Sequence, residues 1–256
     1  VDGPIVVTGG TGVLGRLVVE RLRAAGRAVR VLSRRPGEGR VVADLLTGAG
    51  LPEALAGAGI VVHCATANSG KKDVAATRTL VEAARAAGCR HLVYVSIVGV
   101  DLVPFPYYRG KLAGEGLVER GGVPWTVLRA AQFHDLLRTL FAVAARLPVM
   151  LVPGLRFQPV DAGEVADRLA VLATGEPAGR AADLGGPEVR AATDLARAYL
   201  AATGRRRPVV PVRLPGRTFG AYRRGGHLAP DHATGHITFE RYLATHPDPR
   251  RLSYRG

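Results

Sequence analysis

A chain of 256 residues, 47% hydrophobic and 22% charged, has the composition of a globular protein and enough length to bury a sizeable core. No apolar run approaches the roughly 20 residues of a membrane span, and the amino terminus runs straight into a strand-like segment, so neither membrane association nor a signal peptide is expected. The net charge of +14 invites a polyanionic partner, but of the 35 basic residues only Lys71, Lys72 and Lys111 are lysines, as in an arginine-biased composition. No DNA-reading motif or aromatic-interleaved basic stripe accompanies them, so nucleic acid is not expected.

The excess is partly local, with 11 arginines from Arg205 onward against Asp231, Glu240 and Asp248. Cys64 and Cys89 form no CxxC motif and no disulfide framework, which fits a cytoplasmic protein.

The chain opens on the β-branched run Ile5 to Val7, then Thr8-Gly-Gly-Thr-Gly-Val-Leu-Gly15, then apolar residues at helical spacing (Val13, Leu14, Leu17, Val18, Leu22). Strand, tight turn and helix are the predicted elements. Both Gly10-x-Gly12-x-x-Gly15 and Gly9-x-x-Gly12-x-x-Gly15 fit a phosphate-binding turn. Gly9 supplies unusual backbone angles, Gly12 close approach of a pyrophosphate, and Gly15 close packing of helix on strand. Free N–H groups at the helix start, around Thr11, Val13 and Leu14, favour an anion.

A second strand is predicted over 28–32, ending Leu32-Ser33-Arg34-Arg35. An NAD site places an acid at this address to take the ribose hydroxyls. Guanidinium groups instead match a 2′-phosphate bidentately, so Ser33, Arg34 and Arg35 point to NADP(H). Val41-Val42 reads as a small strand, followed by Asp44 and Leu45 at an adenine-contact address, where Asp44 equally suits a turn cap.

A third strand is predicted over 60–63, and His63-Cys64-Ala65-Thr66 then leaves its carboxyl end toward a cofactor crevice. Helical spacing covers 73–87. A fourth strand follows over 92–95, a helix from Lys111 to Glu119 with its stop at Gly121-Gly122, and a fifth strand over 125–128. Such alternation predicts an α/β fold, a doubly wound parallel sheet with helices on both faces.

Beyond the fifth strand, Arg129 to His134 leads into a helix through about Arg146. Helices are expected over 161–173, 193–202 and 237–244, with a short strand at Asp183-Leu184 and an edge strand over 208–214 broken by Pro211. Asp231-His232-x-x-x-His236, with His227 upstream, has a superficial metal spacing. Gly235 and a loop setting argue against a rigid two-histidine face, so no metal is expected.

Together Thr8 to Gly15, Val93 to Asp101, Tyr107-Tyr-Arg-Gly-Lys111, Pro124 to His134, Phe157 to Asp161 with Val165-Ala166-Asp167, and Asp183 to Pro187 resemble the atypical short-chain dehydrogenase/reductase superfamily, NmrA-like NAD(P)-binding branch. The resemblance spans nearly the whole chain. It implies a Rossmann domain over 1–150 and a small carboxyl-terminal substrate lobe over 151–256 interleaved with the end of the sheet. By the same resemblance, Ala131, Gln132 and Phe133 lie against the nicotinamide, and His134, with Phe133 and Tyr107, faces substrate.

In active members of the wider superfamily a tyrosine protonates the substrate oxygen, a serine holds it, and a lysine four residues on binds the nicotinamide ribose. The residues here are Tyr107, Ser96 and Lys111. The i, i+4 spacing puts Tyr107 and Lys111 on one face if this stretch is a helix, although Pro104 and Pro106 are expected to hold Tyr107 before the first helical turn, and Tyr108 competes as the inward-facing ring.

The expectation is an NADPH-dependent reductase, ketoreductase-like, acting on a small carbonyl, quinone or polyketide-like molecule as a monomer or homodimer. A non-catalytic NADP(H)-sensing regulator and an isomerase or dehydratase are the alternatives.

Overall fold

The computed structural model describes residues 3–67 and 69–246. Asp248, Arg250, Arg251 and Arg255 of the basic carboxyl-terminal stretch lie outside them.

In chain order the elements are β1 (Ile5–Thr8), α1 (Val13–Ala24), β2 (Val29–Ser33), β3 (Arg40–Val42), α2 (Leu51–Leu55), β4 (Ile60–His63), α3 (Gly70–Ala86), β5 (His91–Ile97), α4 (Pro106–Glu119) and β6 (Trp125–Ala130). They continue as α5 (His134–Ala144), β7 (Met150–Pro153), β8 (Arg156–Phe157), α6 (Ala162–Thr174), β9 (Gly179–Arg180), β10 (Arg190–Ala191) and α7 (Ala192–Ala202). Last come β11 (Val209–Val212), α8 (Arg217–Arg223), a 3-10 turn (Pro230–His232) and α9 (Phe239–Thr245).

The chain divides into two compact units, each assembled from several segments. The first holds residues 1–97, 105–129 and 163–182, and the second 98–104, 130–162 and 183–256. The sequence reading placed its boundary near residue 150, whereas the structure groups segments 98–104 and 130–150 with the carboxyl-terminal part and α6 with the amino-terminal part.

The first unit is built on a seven-stranded parallel sheet in the order β3-β2-β1-β4-β5-β6-β9, a Rossmann-like α/β arrangement. The central strands β1 and β4 are buried along their whole length, as strands covered on both faces must be. One face of the core joins Val6, Val61, Leu92 and Val127 of the sheet to Leu55 of α2, Leu80 and Ala84 of α3, and Val118 of α4. Helix α1 buries Leu14, Val18 and Leu22 of the predicted apolar positions, with Val19 beside them, and Gly26 ends it at φ 73°.

Helices α3 and α4 come close at Gly70 and Gly110, where a methyl group on Gly110 would stand 2.6 Å from Gly70 Cα. Deeper along α4, one on Gly114 would stand within contact of the Tyr94 hydroxyl on β5. Small residues here let the helix sit directly on the strand.

Three expectations change. Helix α4 begins at Pro106, five residues before Lys111, because proline at the first helical position is pre-set for helix and lacks only an N–H that would be orphaned anyway. Proline at 106 therefore opens the helix and puts Tyr107 in its first turn. Strand β11 runs through Pro211, which pairs in register with Val152 of β7 in a two-stranded parallel sheet. Each strand of such a pair keeps an open edge, where a missing N–H costs no ladder bond. Asp183-Leu184 forms only an isolated bridge from Leu184 to Ala130.

The second unit has its own core, in which Leu137 and Phe141 of α5, Met150 and Val152 of β7, Leu195 and Tyr199 of α7, and Phe239, Tyr242 and Leu243 of α9 meet. Among the described residues no helix is long and apolar enough to cross a membrane, and no cluster of three or more His, Cys, Asp or Glu could hold a metal.

Candidate functional site

The turn between β1 and α1 separates its glycines by physical cause. Gly9 has φ 67°, and a methyl group there would stand 2.7 Å from the backbone of Ala65. At Gly15 it would stand within 2.1 Å of the Gly9 carbonyl oxygen, and at Gly10 within 2.8 Å of a Val31 methyl. Packing within the protein requires these three glycines. At Gly12 the nearest atom is the Gly9 oxygen at an ordinary 3.4 Å and φ is −81°, so the fold itself tolerates a side chain there.

What a Cβ at Gly12 would fill is the approach to the start of α1. That helix has no side-chain cap, and it carries Val13, Leu14 and Gly15 in its first turn with Thr11 exposed beside it. The uncapped N–H groups and the open glycine fit a pyrophosphate.

At the end of β2, Ser33 Oγ accepts from the Arg35 amide at 3.2 Å, and Arg34 and Arg35 are both exposed. Asp44 caps its own turn, its carboxylate accepting the Leu46 amide at 2.7 Å, with Leu45 packed against the core. One carboxylate oxygen is thereby committed to the turn.

A polar cluster lies beneath this surface. The Thr8 hydroxyl meets His63 Nδ1 at 2.7 Å, and His63 Nε2 faces the Thr77 hydroxyl at 3.3 Å, which donates to the Asp73 carbonyl at 2.8 Å. Burial, reinforced by the Lys111 charge, holds the His63 pKa far below its ordinary value, so the ring is neutral. Cys64 follows on the strand end. Its thiol is pushed up to about 12, chiefly by burial, which makes it a poor nucleophile.

Thr66 and Tyr107 come together. Thr66 Oγ1 and the Tyr107 hydroxyl are 2.9 Å apart, joining the β4–α3 loop to the first turn of α4. Tyr107 is half-buried, whereas Tyr108 is buried edge-on against Phe105 with ring centroids 5.7 Å apart. Of the two adjacent tyrosines, Tyr107 is the one whose hydroxyl meets the loop.

One turn on, Lys111 is 5% exposed. Its Nζ donates to the Val95 carbonyl at 3.3 Å, stands 3.5 Å from Asp73 Oδ2, and lies 4.9 Å from the centre of the Tyr94 ring. Burial opposes the Lys111 charge, yet Tyr94, Asp73 and Tyr107 together hold its pKa above the ordinary lysine value. An ammonium has three donors, and around this one lie the Val95 carbonyl, the Asp73 carboxylate and the Tyr94 hydroxyl.

Ser96 on β5 is 2% exposed, and its Oγ meets no hydrogen-bonding partner among the described residues. A buried hydroxyl left in that state is completed by a ligand or a water.

The remaining expected residues belong to the second unit. Ala131 and Gln132 are buried, Phe133 is the residue before α5, and the Phe133 segment pairs with Val160. His134 is sealed in an aromatic stack, its ring 5.1 Å from Tyr242 and 5.6 Å from Phe239, with Nε2 bonded to the Ile237 carbonyl at 2.9 Å. At 0% exposure it is a core residue, which corrects its reading as a substrate-facing group. Its polarity in an apolar helix start suggested a lining residue, but α9 brings aromatic partners that no local pattern announces. His227 is likewise buried, with Nε2 on the Arg156 carbonyl at 2.8 Å, while His232 is exposed.

Sequence reasoning passed over Asp73. It was read as the first residue of a helix, yet it is 3% exposed and faces Lys111. No local pattern marks it, because an acid in the first turn of a helix is already accounted for by the helix dipole.

The chain is similar to known proteins. Residues 9–146 match the NAD(P)H-binding family. A (4-alkanoyl-5-oxo-2,5-dihydrofuran-3-yl)methyl phosphate reductase of Streptomyces griseus is 37% identical over 139 residues, 50% of this chain and 48% of that protein. The chain spans about half the length of the curated relatives it matches.

Among solved structures, the NADPH-dependent quinone oxidoreductase of Escherichia coli complexed with NADPH superposes with a TM-score of 0.82 at 19% identity, covering 95% of this chain and 100% of that one. The Citrobacter sp. triphenylmethane reductase complexed with NADP(H) gives 0.79 at 19% identity, covering 94% and 99%. These two likenesses concern the fold. The matched residues begin at the glycine turn and run through both Tyr107 and Lys111, and the chain belongs to the NAD(P)H-binding family.

Proposed function

We propose that the protein is an NADPH-dependent reductase of a small carbonyl, quinone or polyketide-like substrate. The observation that carries this reading is the Tyr107–Lys111 pair on α4, with a hydroxyl at 2.9 Å from Thr66 and an ammonium held buried and charged. When bound, the reduced nicotinamide supplies the hydride.

The protein's own residues do the rest. The α1 start and Gly12 would seat the pyrophosphate, while Arg34 and Arg35, with Ser33, would take the 2′-phosphate. Lys111 would turn a donor to the ribose and keep its positive charge beside the nicotinamide. Tyr107 would give a proton to the substrate oxygen, with exposed Thr66 able to relay a replacement proton from solvent and Ser96 to hold the oxygen. Asp44 and Leu45 at the adenine, the segment Cys64 to Thr66 along the cofactor, and Ala131, Gln132 and Phe133 at the nicotinamide rest on family resemblance.

The second unit is read as the substrate lobe. A dinucleotide sensor would have no use for a proton donor partnered in this way. The reading also takes the protein as cytoplasmic, a monomer or homodimer.

The test is NADPH consumption against a panel of quinones, conjugated ketones and simple carbonyls, with NADPH binding measured alongside by calorimetry. Turnover on a panel member that falls in Tyr107→Phe supports the reading. Tight NADPH binding with no oxidation by any of them would overturn it in favour of the regulator.

A further inference from the structure

Asp73 lies at the start of α3, outside the segments that carry Tyr107 and Lys111. Its carboxylate nonetheless reaches both sides of that pair. Oδ1 accepts the Ala67 amide at 2.8 Å, fixing the loop next to Thr66, whose hydroxyl meets Tyr107. Oδ2 stands 3.5 Å from Lys111 Nζ. Both side chains of the ion pair are nearly sealed from solvent.

We propose that Asp73 is the positioning residue of the Tyr107–Lys111 pair, setting the lysine charge with one oxygen and the Thr66 loop with the other. This rests on the reductase reading for its purpose, but not for its geometry.

The charge argument follows from what surrounds Lys111. The titratable groups acting on it or on its neighbours are Asp73 of α3, His63 and Cys64 at the end of β4, Tyr94 of β5 and Tyr107 of α4. His63 is neutral and the Cys64 thiol is protonated at neutral pH, and Asp73 is the one carboxylate in the group. A buried ammonium without a counter-charge sheds its proton rather than bear desolvation. Without Asp73 the lysine would lose its charge at a lower pH, and Tyr107 would lose its fixed cationic neighbour there.

The two oxygens can be separated experimentally. Asp73→Asn removes the charge but keeps an acceptor for the Ala67 amide, Asp73→Ala removes both, and Asp73→Glu restores the charge. The chain contains only Lys71, Lys72 and Lys111, so lysine labelled with carbon-13 at Cε gives three signals, assigned with Lys71→Arg and Lys72→Arg.

In cofactor-free wild-type protein the Lys111 signal should stay in its protonated position past about pH 10.4, the ordinary lysine midpoint. In Asp73→Asn it should titrate at least about one pH unit lower, and in Asp73→Glu the high value should return. Hydrogen exchange at the Ala67 amide should remain slow in Asp73→Asn and quicken in Asp73→Ala. NADPH affinity in Asp73→Asn should weaken as pH rises through the new midpoint.

A wild-type Lys111 that titrates at or below the ordinary midpoint overturns the proposal even if no variant folds. So does an Asp73→Asn titration unchanged from wild type, or an Ala67 exchange rate indifferent to Asp73→Ala. None of these readouts requires a substrate, so a failed reductase assay is distinguishable from a failed Asp73 assignment.

Discussion

Arg129 of β6 and Glu115 of α4 face each other through two parallel bonds of 2.8 and 2.7 Å, with both side chains buried. The guanidinium fork matches the carboxylate, so this pair fixes α4 in orientation as well as in depth. Removing the carboxylate strands a charge in the interior. Glu115→Ala should cost about 3–5 kcal/mol of stability in urea unfolding, and Arg129→Met in the same background should recover much of it. A single-variant loss below about 1 kcal/mol would mean that water reaches the pair.

The glycine turn gives a contrast within one motif. Gly15→Ala drives a methyl into the Gly9 carbonyl oxygen, so the protein should be poorly folded by circular dichroism. Gly12→Ala meets only an ordinary contact, so it should fold with a near-normal melting temperature while losing NADPH affinity about tenfold or more. Full NADPH affinity in a folded Gly12→Ala would place the pyrophosphate elsewhere.

Arg34 and Arg35, both exposed at the end of β2, are the residues proposed to take the 2′-phosphate. The double substitution Arg34→Ala with Arg35→Ala should weaken NADPH binding roughly ten- to hundredfold while leaving NADH binding little changed. An equal loss for both coenzymes, measured by fluorescence titration, would remove the phosphate assignment.

At the Tyr107–Thr66 contact, Tyr107→Phe should lower kcat about a hundredfold or more with NADPH affinity nearly intact. Thr66→Val keeps the shape but not the hydroxyl, and should lower kcat less. If steady-state kinetics show Tyr107→Phe unchanged, the proton comes from another group.

His227 gives the pH dependence a sign. Burial lowers its pKa from 6.5 to about 4, and its Nδ1 meets no hydrogen-bonding partner among the described residues. Protonation is therefore easier in the unfolded chain. The stabilisation is complete above about pH 6.5 and is lost as pH falls toward 4, amounting to about 3 kcal/mol for this residue. Unfolding free energies measured between pH 7.5 and 4 should fall accordingly, and His227→Phe should flatten part of that slope. A pH-independent wild-type stability would refute the buried neutral ring.

The parts of this molecule legible in the sequence are those whose cause is local. Strands β1 and β4 are apolar runs bounded by turn residues, α1 declares itself through Leu14, Val18 and Leu22, and the glycine turn sits between a strand and a helix. The i, i+4 spacing of Tyr107 and Lys111 is equally local, since one helix carries both.

Long-range causes leave no such mark. Strand β9 is two residues whose identity comes from lying beside β6, and β8 with β10 is a pair of the same kind. His134 is buried because α9 returns to cover it. Asp73 and Lys111 are 38 positions apart, read from their numbers, and meet only because α3 and α4 pack against each other.

That meeting depends on Gly70 and Gly110. At their crossing, hydrogen atoms stand where other residues would put carbon, and the helix bearing the proposed proton donor settles onto its neighbour to a depth a single methyl would prevent. The spacing of the Tyr107 hydroxyl from its threonine partner is thus governed by bulk that is missing, some distance from that contact. Enlarging either glycine would misalign chemistry it never touches.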